Sequence, residues 1–534
     1  MAVALSPLVA VTLQAQPAAT IPASSTLYDR LEAVSAFFPV RGLFLGERAL
    51  SRREVQRIVA SLSTAIDSVP PQAQRRAAWA RRELEVVLSA LNEKRDMKVR
   101  GGLRAGFAWR GDVVSSNALE ERIEPNGLGS IDAVTHPFAQ GRYGWPTPDG
   151  TAATLAPRGV FGAGDWFAAA AQVSGTLTSE HEDGWISERF LQRGYLRGVF
   201  HNVGAHLGME EQRWGQSPRG SLFISGNAMP FPSVSLSTDT AITLPWVLRH
   251  AGRTRGVLFI SDLGGTQVPP HARLVGWQAS IQPWSRFELG VAVTAQMGGN
   301  GGPPATFFQR VVDLLPLIDA LAPQHADLQI SNKLAGGNLR LRFPELSGTD
   351  LYYELQIDDF DGRRLRSSFV DDAAHLVGVR VPILLGDGLL AWRGEWHYTS
   401  LRLYEHGQFR SGSTYRQRII GNPLGPHAMA GLLAANWQPT PARNLELSAA
   451  LESRDPSQYT VVTSGPNDRG FTFVRLTNDP SFRRLRINLS LDQLLPGGAL
   501  RVMLGHNQAS RTGQASRHEW FGLLSLNSQR LTTF

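Results

Sequence analysis

The chain has 534 residues, of which 42% are hydrophobic and 19% are charged. The apolar content excludes a wholly disordered chain, and the absence of cysteine excludes disulfide frameworks, thiol catalysis and cysteine-ligated metals. The net charge of +7 is carried almost entirely by arginine, since lysine occurs only at Lys94, Lys98 and Lys333. The arginines are scattered rather than gathered into a patch or tail, which argues against a nucleic-acid partner.

The first 20 residues are predicted to be a secretory signal peptide with a late start. An apolar run from Ala2 to Leu13 is followed by polar and small residues, although no basic residue precedes it. The alternative is a flexible apolar tail. No stretch of the sequence reaches the roughly 18 consecutive apolar residues of a membrane-spanning helix.

Residues 25–96 are predicted to form a small helical module on the periplasmic side. Ser51 and Glu54 form a helix-capping pattern, and helical periods follow on both sides of Pro70-Pro71. A third short helix is predicted around residues 27–38. The apolar positions that carry the two longer helices are Val55, Ile58, Val59, Leu62, Ala77, Trp79, Leu84, Val87 and Leu91.

From Met97 the apolar period changes to two, and residues 97–534 are predicted to form an all-β transmembrane barrel. A soluble sandwich also alternates, but here the polar face carries opposite charges suited to a wet lumen, and aromatic residues lie near strand ends. We expect about 18 antiparallel strands, about 12 of them from Phe287 onward. The aromatic residues near strand ends are Trp109, Trp277, Trp284, Trp437 and Trp520.

The connections are predicted to be short on one side of the barrel and long on the other, as in outer-membrane barrels. Short turns are predicted at residues 282–285, 335–337, 386–388, 439–441 and 496–498. Long loops are predicted at residues 297–327, 400–414 and 455–481, with a helix over 306–321. The final residue, Phe534, is typical of such barrels, although residues 529–533 make a poor terminal strand.

Motifs for catalysis, metals and cofactors are weak or absent. The glycine-rich segment 297–302 lacks the lysine of a phosphate loop, and there is no HExxH or GxSxG pattern. Two acidic clusters, 180–184 and 358–362, lack the spacing of a calcium loop and are read as solvated turns. We therefore predict no enzyme activity, no cofactor and no metal. A serine and histidine on neighbouring strands, as in barrel lipases, remain the alternative.

Six charged positions on the predicted inner face are the candidate ligand-binding residues. One interpretation is a network of ion pairs that fills the barrel; the other is a polar track for an acidic or hydroxyl-rich ligand. Arginine matches carboxylates bidentately, and acidic side chains accept hydrogen bonds from sugar hydroxyls. The six residues are Arg340, Arg342, Glu354, Arg393, Glu395 and His397.

The segment 213–232, rich in glycine and proline, is predicted to cross near or inside the barrel; the alternative is an ordinary long loop. It resembles a motif of the Wzi capsule-assembly family, as does the segment 418–426 later in the chain. The matching residues of the first motif are Trp214, Gly215, Ser221, Leu222, Asn227 and Pro230, and those of the second are Gly421, Pro423, Leu424 and Gly425. Met229 departs from the N-A-R-P form of many relatives, which puts a polysaccharide contact by that arginine in doubt.

The resemblance covers nearly the whole chain and implies an 18-stranded outer-membrane barrel whose periplasmic end is blocked by the helical bundle. It implies a lectin-like protein that anchors capsular or other surface polysaccharide. The expected surroundings are outer-membrane lipids and lipopolysaccharide, and the expected state is a monomer. The alternatives are a diffusion porin for small polar or anionic solutes and an outer-membrane lipid-modifying enzyme.

Overall fold

The computed structural model describes residues 18–70, 73–91, 97–99, 103–180, 184–315, 330–358, 369, 372–463, 471–511 and 513–528. Most of the predicted signal peptide, the chain end at Phe534 and most of the two acidic clusters lie outside the described residues.

The described strands form one closed antiparallel barrel of 18 strands, as predicted. The barrel closes because the last strand pairs with the first, with Phe521 opposite Ser116. In chain order the strands are β1 Leu103–Ser116, β2 Gly150–Ala163, β3 Phe167–Glu180, β4 Gly184–Phe200, β5 Val203–Met209, β6 Pro232–Thr238, β7 Arg253–Asp262, β8 Arg273–Trp284, β9 Phe287–Met297, β10 Ser331–Phe343, β11 Thr349–Asp358, β12 Ala373–Leu385, β13 Gly388–Thr399, β14 Ala428–Thr440, β15 Arg443–Arg454, β16 Phe482–Leu495, β17 Gly498–Arg511 and β18 Arg517–Asn527.

The alternation of side chains separates an apolar outer face from a polar lumen. On β14 and β15, Leu433 and Leu447 are exposed outward, whereas Ala434 and Ser448 are buried inward. Trp284 near one barrel end and Trp520 near the other are also exposed, as expected for aromatic residues at membrane interfaces. Among the described residues, no helix is both long and apolar enough to cross a bilayer.

The two barrel ends differ in their connections. We call the end with turns such as 386–387 and 496–497 the turn end, and the end with connections such as 117–149 and 400–427 the loop end. The predicted loop 400–414 is longer than expected and continues to residue 427.

Two details of the predicted strand map are wrong. Residues 335–337 are not a turn but lie inside β10, where Gly336 faces Gln356 of β11. A Cβ atom on Gly336 would lie 2.1 Å from the carbonyl oxygen of Leu355, so glycine permits a close approach of two strands there. The strands also divide as eight before Phe287 and ten from Phe287 onward, rather than six and twelve.

The amino-terminal module contains three helices, α1 Leu27–Phe37, α2 Arg52–Asp67 and α3 Gln74–Leu91. The side chain of Ser51 accepts a hydrogen bond from the Glu54 amide and caps α2, as predicted. The helices share an apolar core that includes Leu389 of the barrel wall. The module covers the turn end, where Arg75 donates to the carbonyl oxygen of Gly386 at 2.7 Å.

The loop helix predicted over 306–321 begins as expected but is described only as α4, Phe307–Asp313. Residues 316–329 lie outside the described part. The indole nitrogen of Trp277 donates to the carbonyl oxygen of Leu314 at 2.8 Å, which ties this loop to the rim. The remaining short elements are the strands Glu47–Arg48, Met97–Val99, Glu121–Ile123, Ala133–Thr135, Arg213–Trp214, Ile242–Thr243, Thr414–Tyr415, Arg418–Ile419, Tyr459–Thr463 and Phe471–Arg475, and the 3-10 helix Trp246–Ala251.

Candidate functional site

The connection between β5 and β6 runs inside the barrel, as the sequence predicted. We call residues 210–231 the lumen segment. It leaves the loop end, descends the lumen, and there Arg213–Trp214 pairs antiparallel with Glu47–Arg48 of the amino-terminal module. The lumen segment and the module therefore meet inside the barrel, each having entered from a different end.

Gly215 of the lumen segment permits this meeting. Its φ of +132° lies in a region that favours glycine, and its amide donates to the carbonyl oxygen of Gly46 at 2.9 Å. A Cβ atom at this position would lie 2.5 Å from a carboxylate oxygen of Glu354 and 2.7 Å from the Cβ of Ser221. The motif glycine is thus required by close packing against the wall.

Glu354 holds the turn of the lumen segment against the barrel wall. Its carboxylate accepts hydrogen bonds from the amides of Gln216 at 2.6 Å, Ser217 at 2.7 Å and Leu222 at 2.9 Å. Glu395 accepts a further hydrogen bond from the Ser217 hydroxyl at 3.0 Å. Because a single carboxyl group accepts from three backbone amides at once, these contacts fix the segment against the wall.

Glu32 of α1 joins the module to two arginines of the wall. Its two carboxylate oxygens accept from Arg340 and Arg393, each at 2.7 Å. Burial raises the pKa of Glu32, but the charges of Arg393 and Arg340 outweigh it and hold the pKa well below its usual range. Nearby, Glu288 accepts from the amide of Gly46 at 2.8 Å. The module is therefore bound to the wall by ionised groups.

The second family motif packs directly on the lumen segment. The Asn422 side chain donates to the carbonyl oxygen of Gly220 at 2.7 Å. Gly421 has no room for a side chain, because a Cβ atom would lie 2.1 Å from the carbonyl oxygen of Leu222. In the first motif, the Asn227 side chain donates to the carbonyl oxygen of Ile419 at 2.9 Å. The two motifs together form one buried assembly.

The remaining motif residues lie in or beside this assembly. The buried Trp214 ring packs edge-on against Phe259 of β7, with ring centroids 5.2 Å apart. Ser221 donates to the carbonyl oxygen of Ser217 at 2.9 Å, and Gly425 adopts a φ of +76°. Leu222, Pro230, Pro423 and Leu424 are buried.

The six predicted ligand-binding residues point into the lumen as expected, and the structure brings them together around the lumen segment. Each contacts protein groups. Arg342 pairs with Glu288 at 3.1 Å, and His397 lies 3.0 Å from Glu395 and 2.9 Å from the Asn422 amide nitrogen. These contacts match the ion-pair network interpretation. Direct contact with a ligand stays a prediction.

A groove that the sequence interpretation missed lies at the loop end of the lumen. This mouth groove has a volume of about 250 Å³. Glu120 and Arg418, which form an ion pair, line it with Glu188 of β4, and Trp145 and Pro146 supply apolar surface. Carboxylates, a guanidinium and an indole are the groups that bind sugar hydroxyls and ring faces. Most of these residues lie in connections without periodicity, so no sequence signal marked them; the exceptions are Asn227 and Arg418, which belong to the two family motifs.

Residues 136–148 form the floor of the mouth groove, and we call them the partition loop. Trp145 packs on the guanidinium of Arg110, whose central carbon lies 3.8 Å from the indole ring centre. His136 holds the loop through contacts with the Ala118 carbonyl oxygen at 3.2 Å and the Phe138 amide at 3.1 Å. Burial lowers the pKa of His136 to about 3, so the ring stays neutral.

The described residues contain no group of three or more side chains placed to hold a metal ion.

The model of a protein family described as "Capsule assembly protein Wzi" matches residues 141–508.

Two individual proteins are also similar to the chain. An uncharacterized 55.8 kDa protein in the cps region of Klebsiella pneumoniae is 31% identical over 118 residues, which span 22% of this chain and 23% of that relative. The structure of Escherichia coli Wzi, described as an outer membrane protein involved in group 1 capsule assembly and a carbohydrate-binding β-barrel, aligns with a TM-score of 0.66. The alignment has 16% identity and covers 95% of this chain and 99% of that chain.

Proposed function

Since this chain belongs to the Wzi capsule-assembly family, we propose that it is an outer-membrane barrel that binds and anchors capsular or other surface polysaccharide. The loop end faces the cell exterior and the turn end faces the periplasm. An apolar outer face with aromatic residues near both ends supports the membrane location, and long connections at one end support the orientation. The protein acts as a lectin rather than as an enzyme.

The mouth groove is the observation that carries this proposal. It opens at the proposed outer surface and places two carboxylates, Glu120 and Glu188, with the guanidinium of Arg418. Carboxylates accept hydrogen bonds from sugar hydroxyls, and the guanidinium binds the carboxylate of an acidic sugar. Each contact is modest, so a polymer gains affinity by engaging several barrels at one surface.

The six inner-face residues support the groove indirectly in this proposal. Glu354 and Glu395 fix the lumen segment, which supplies Asn227 to the groove. Arg340 and Arg393 fix the helical module below it. The variants Arg340→Gln and Arg393→Gln test whether these residues also contact the ligand directly. Loss of polymer binding in a variant that still folds would support direct contact.

The direct test measures binding of capsular polysaccharide to the purified barrel. We expect Glu188→Gln and Arg418→Ala each to weaken binding about tenfold, because each removes a charged hydrogen-bonding group. Arg122→Ala is the matched control, since Arg122 lies exposed at the same barrel end but does not line the groove. Equal polysaccharide binding by the wild type and all three variants, or no binding by the wild type, would refute the mouth groove as the binding site.

A cellular test separates anchoring from a purely structural role. Cells without the gene, or with a variant lacking residues 455–481, should release surface polysaccharide into the medium. Full retention would leave only a structural barrel.

The porin alternative is tested by planar-bilayer conductance. The module and the lumen segment fill the lumen, so we expect little steady current from the intact protein and a larger current when residues 25–96 are deleted. Large currents from the intact protein would favour a porin.

The enzyme alternative is tested by incubating the purified protein with phospholipid or lipid A. Turnover that is lost on substitution of one serine would favour a lipid-modifying enzyme.

We also propose that the barrel is a monomer in contact with membrane lipids and lipopolysaccharide. Exposed apolar side chains occur on strands around the circumference, including Leu196 of β4, Leu258 of β7, Leu433 of β14 and Leu504 of β17. Cross-linking in native membranes that yields a defined oligomer would contradict the monomer.

A further inference from the structure

A second cavity, separate from the mouth groove, lies below the partition loop. It has a volume of about 330 Å³, which is within the range of small-molecule sites. Its walls are α1, the lumen segment, the partition loop and the inner faces of β12 to β18 and of β1. Trp145 lines both cavities and stands between them. We call this space the lumen cavity.

The lumen cavity lies towards the turn end of the barrel. Its lining includes Gln438, Ala442 and Leu494, which are next to the short turns. Residues at the loop ends of the same strands do not line it. The cavity extends from the partition loop to the helical module, so a ligand in it lies on the module side of that loop, and the mouth groove lies on the other side.

The lining of the cavity is strongly cationic, with ten arginines against four acidic residues. The four carboxylates already have partners in the protein. Glu32 binds Arg340 and Arg393, and the other three pair one-to-one with arginines of the lining. Those pairs are Asp29 with Arg48, Glu446 with Arg219, and Asp492 with Arg501.

Two arginines of the lining, Arg142 and Arg213, have no carboxylate within 4.0 Å among the described residues. Among the described residues, the hydrogen bond of the Arg142 guanidinium is to the carbonyl oxygen of Pro146, at 3.1 Å. The Nε atoms of both are buried without a hydrogen-bond partner among the described atoms. Neither guanidinium is therefore paired directly with a carboxylate of the described protein, although the charge of Asp112 reaches Arg142 and the charges of Asp29 and Glu32 reach Arg213 from farther away.

The environment of these guanidiniums is unfavourable without an anion. Burial lowers the pKa of Arg213 to about 9, and the nearby charge of Arg48 acts in the same direction. Burial also lowers the pKa of Arg142, to about 10. A carboxylate or phosphate offers the planar arrangement of oxygens that a guanidinium binds bidentately. Such an anion would supply the missing partner.

We propose that the lumen cavity binds a solute of about one sugar ring that carries a carboxylate or phosphate, held by Arg142 and Arg213. This site goes beyond polysaccharide binding at the mouth and does not depend on it. The two guanidiniums without a directly paired carboxylate and the volume of the cavity carry the assignment, and a negatively charged oxygen group is the chemistry that both candidate ligands share.

The test is calorimetric titration of the purified full-length protein with glucuronate and glucose 1-phosphate, with glucose as the neutral control. We expect saturable binding of one or both acids, weakened by salt, and none of glucose. The acid that binds identifies carboxylate or phosphate as the natural group. Arg142→Gln and Arg213→Gln should each lower affinity about tenfold. Arg249→Gln, an equal charge change at an exposed residue outside the cavity, should leave affinity unchanged.

Thermal unfolding keeps the proposal testable if a variant folds poorly. Without ligand, Arg213→Gln should unfold at no lower temperature than the wild type, because it removes a buried charge that has no directly paired carboxylate. Added acid should raise the unfolding temperature of the wild type and not of the variant. No saturable binding of either acid, equal binding of glucose, unchanged affinity in Arg213→Gln, or a lower unfolding temperature of the ligand-free variant would each overturn the site.

Discussion

Replacing Glu32 with glutamine should weaken the docking of the helical module on the barrel wall. One carboxylate there neutralises two buried guanidiniums, those of Arg340 and Arg393, at 2.7 Å each. Removing one partner of a buried ion pair costs about 3–5 kcal/mol. Arg340 keeps Asp350 at 3.3 Å, and Arg393 keeps the Tyr352 hydroxyl at 2.9 Å. We therefore expect the low end of the range, about 3 kcal/mol in the free energy of module opening.

Amide hydrogen exchange on α1 measures this opening free energy directly. A loss of about 3 kcal/mol lowers protection by more than 100-fold, since about 1.4 kcal/mol corresponds to tenfold. Asp29→Asn is the control on the same helix. Its carboxylate is more than half exposed and pairs with Arg48 at 3.3 Å, so its loss should cost less than about 1 kcal/mol. Equal protection in the two variants would refute the argument.

The pH dependence gives an independent check on Glu32. Its pKa is lowered in the folded protein, so its contribution is fully present above the ordinary value near 4.5 and is lost only as the pH falls through the lower folded pKa. Protection of α1, corrected for intrinsic exchange, should therefore be the same at pH 7 and pH 5. A marked loss between these values would show that another group controls docking.

Two further predictions concern the loop end. Gly421→Ala should destabilise the protein by about 1–3 kcal/mol, because the added Cβ would collide with the Leu222 carbonyl oxygen. The control is Gly407→Ala in the same connection, whose added Cβ meets nothing within 4 Å and should leave stability unchanged. Equal unfolding temperatures of the two variants would contradict this prediction. Burial raises the pKa of Glu405 in the folded protein to about 8, whereas the unfolded chain ionises near 4.5. The free energy of unfolding should therefore fall as the pH rises from about 4.5 to about 8, by at most about 1.4 kcal/mol per pH unit. Glu405→Gln should gain stability over the wild type at pH 8 but not at pH 4.5, and a difference independent of pH would count against burial as the cause.

The strands were predictable because each faces two different solvents. Side chains that alternate between lipid and a polar lumen leave a period of two, so the inward direction of Arg340 and Glu354 followed from parity alone. The error at residues 335–337 has a local cause. Paired glycines usually mark a turn, but Gly336 serves a close approach of two strands, which depends on the neighbouring strand.

The partners of the inward charges were beyond the reach of periodicity. Arg340 is neutralised by Glu32, which lies 308 positions earlier in a helix whose docking no local pattern reports. The path of the lumen segment was foreseen from its glycines and prolines, and the motif resemblance selected the same residues. The mouth groove was missed because Glu120, Trp145 and Arg418 come from separate connections that meet only in the folded protein.

The lumen segment connects the outer connection 400–427 to the module through a continuous series of backbone hydrogen bonds. Ser225 binds the outer connection at the Ile420 carbonyl, Trp214 binds Ile224, and Gly215 binds Gly46 of the module, each by a backbone hydrogen bond of 2.9–3.0 Å. Tension on the outer connection, such as drag from the polymer that we propose binds there, would pass through these bonds to the module at the turn end. The pull is then resisted by the module as well as by the lipid-facing wall, which suits an anchor better than a pore.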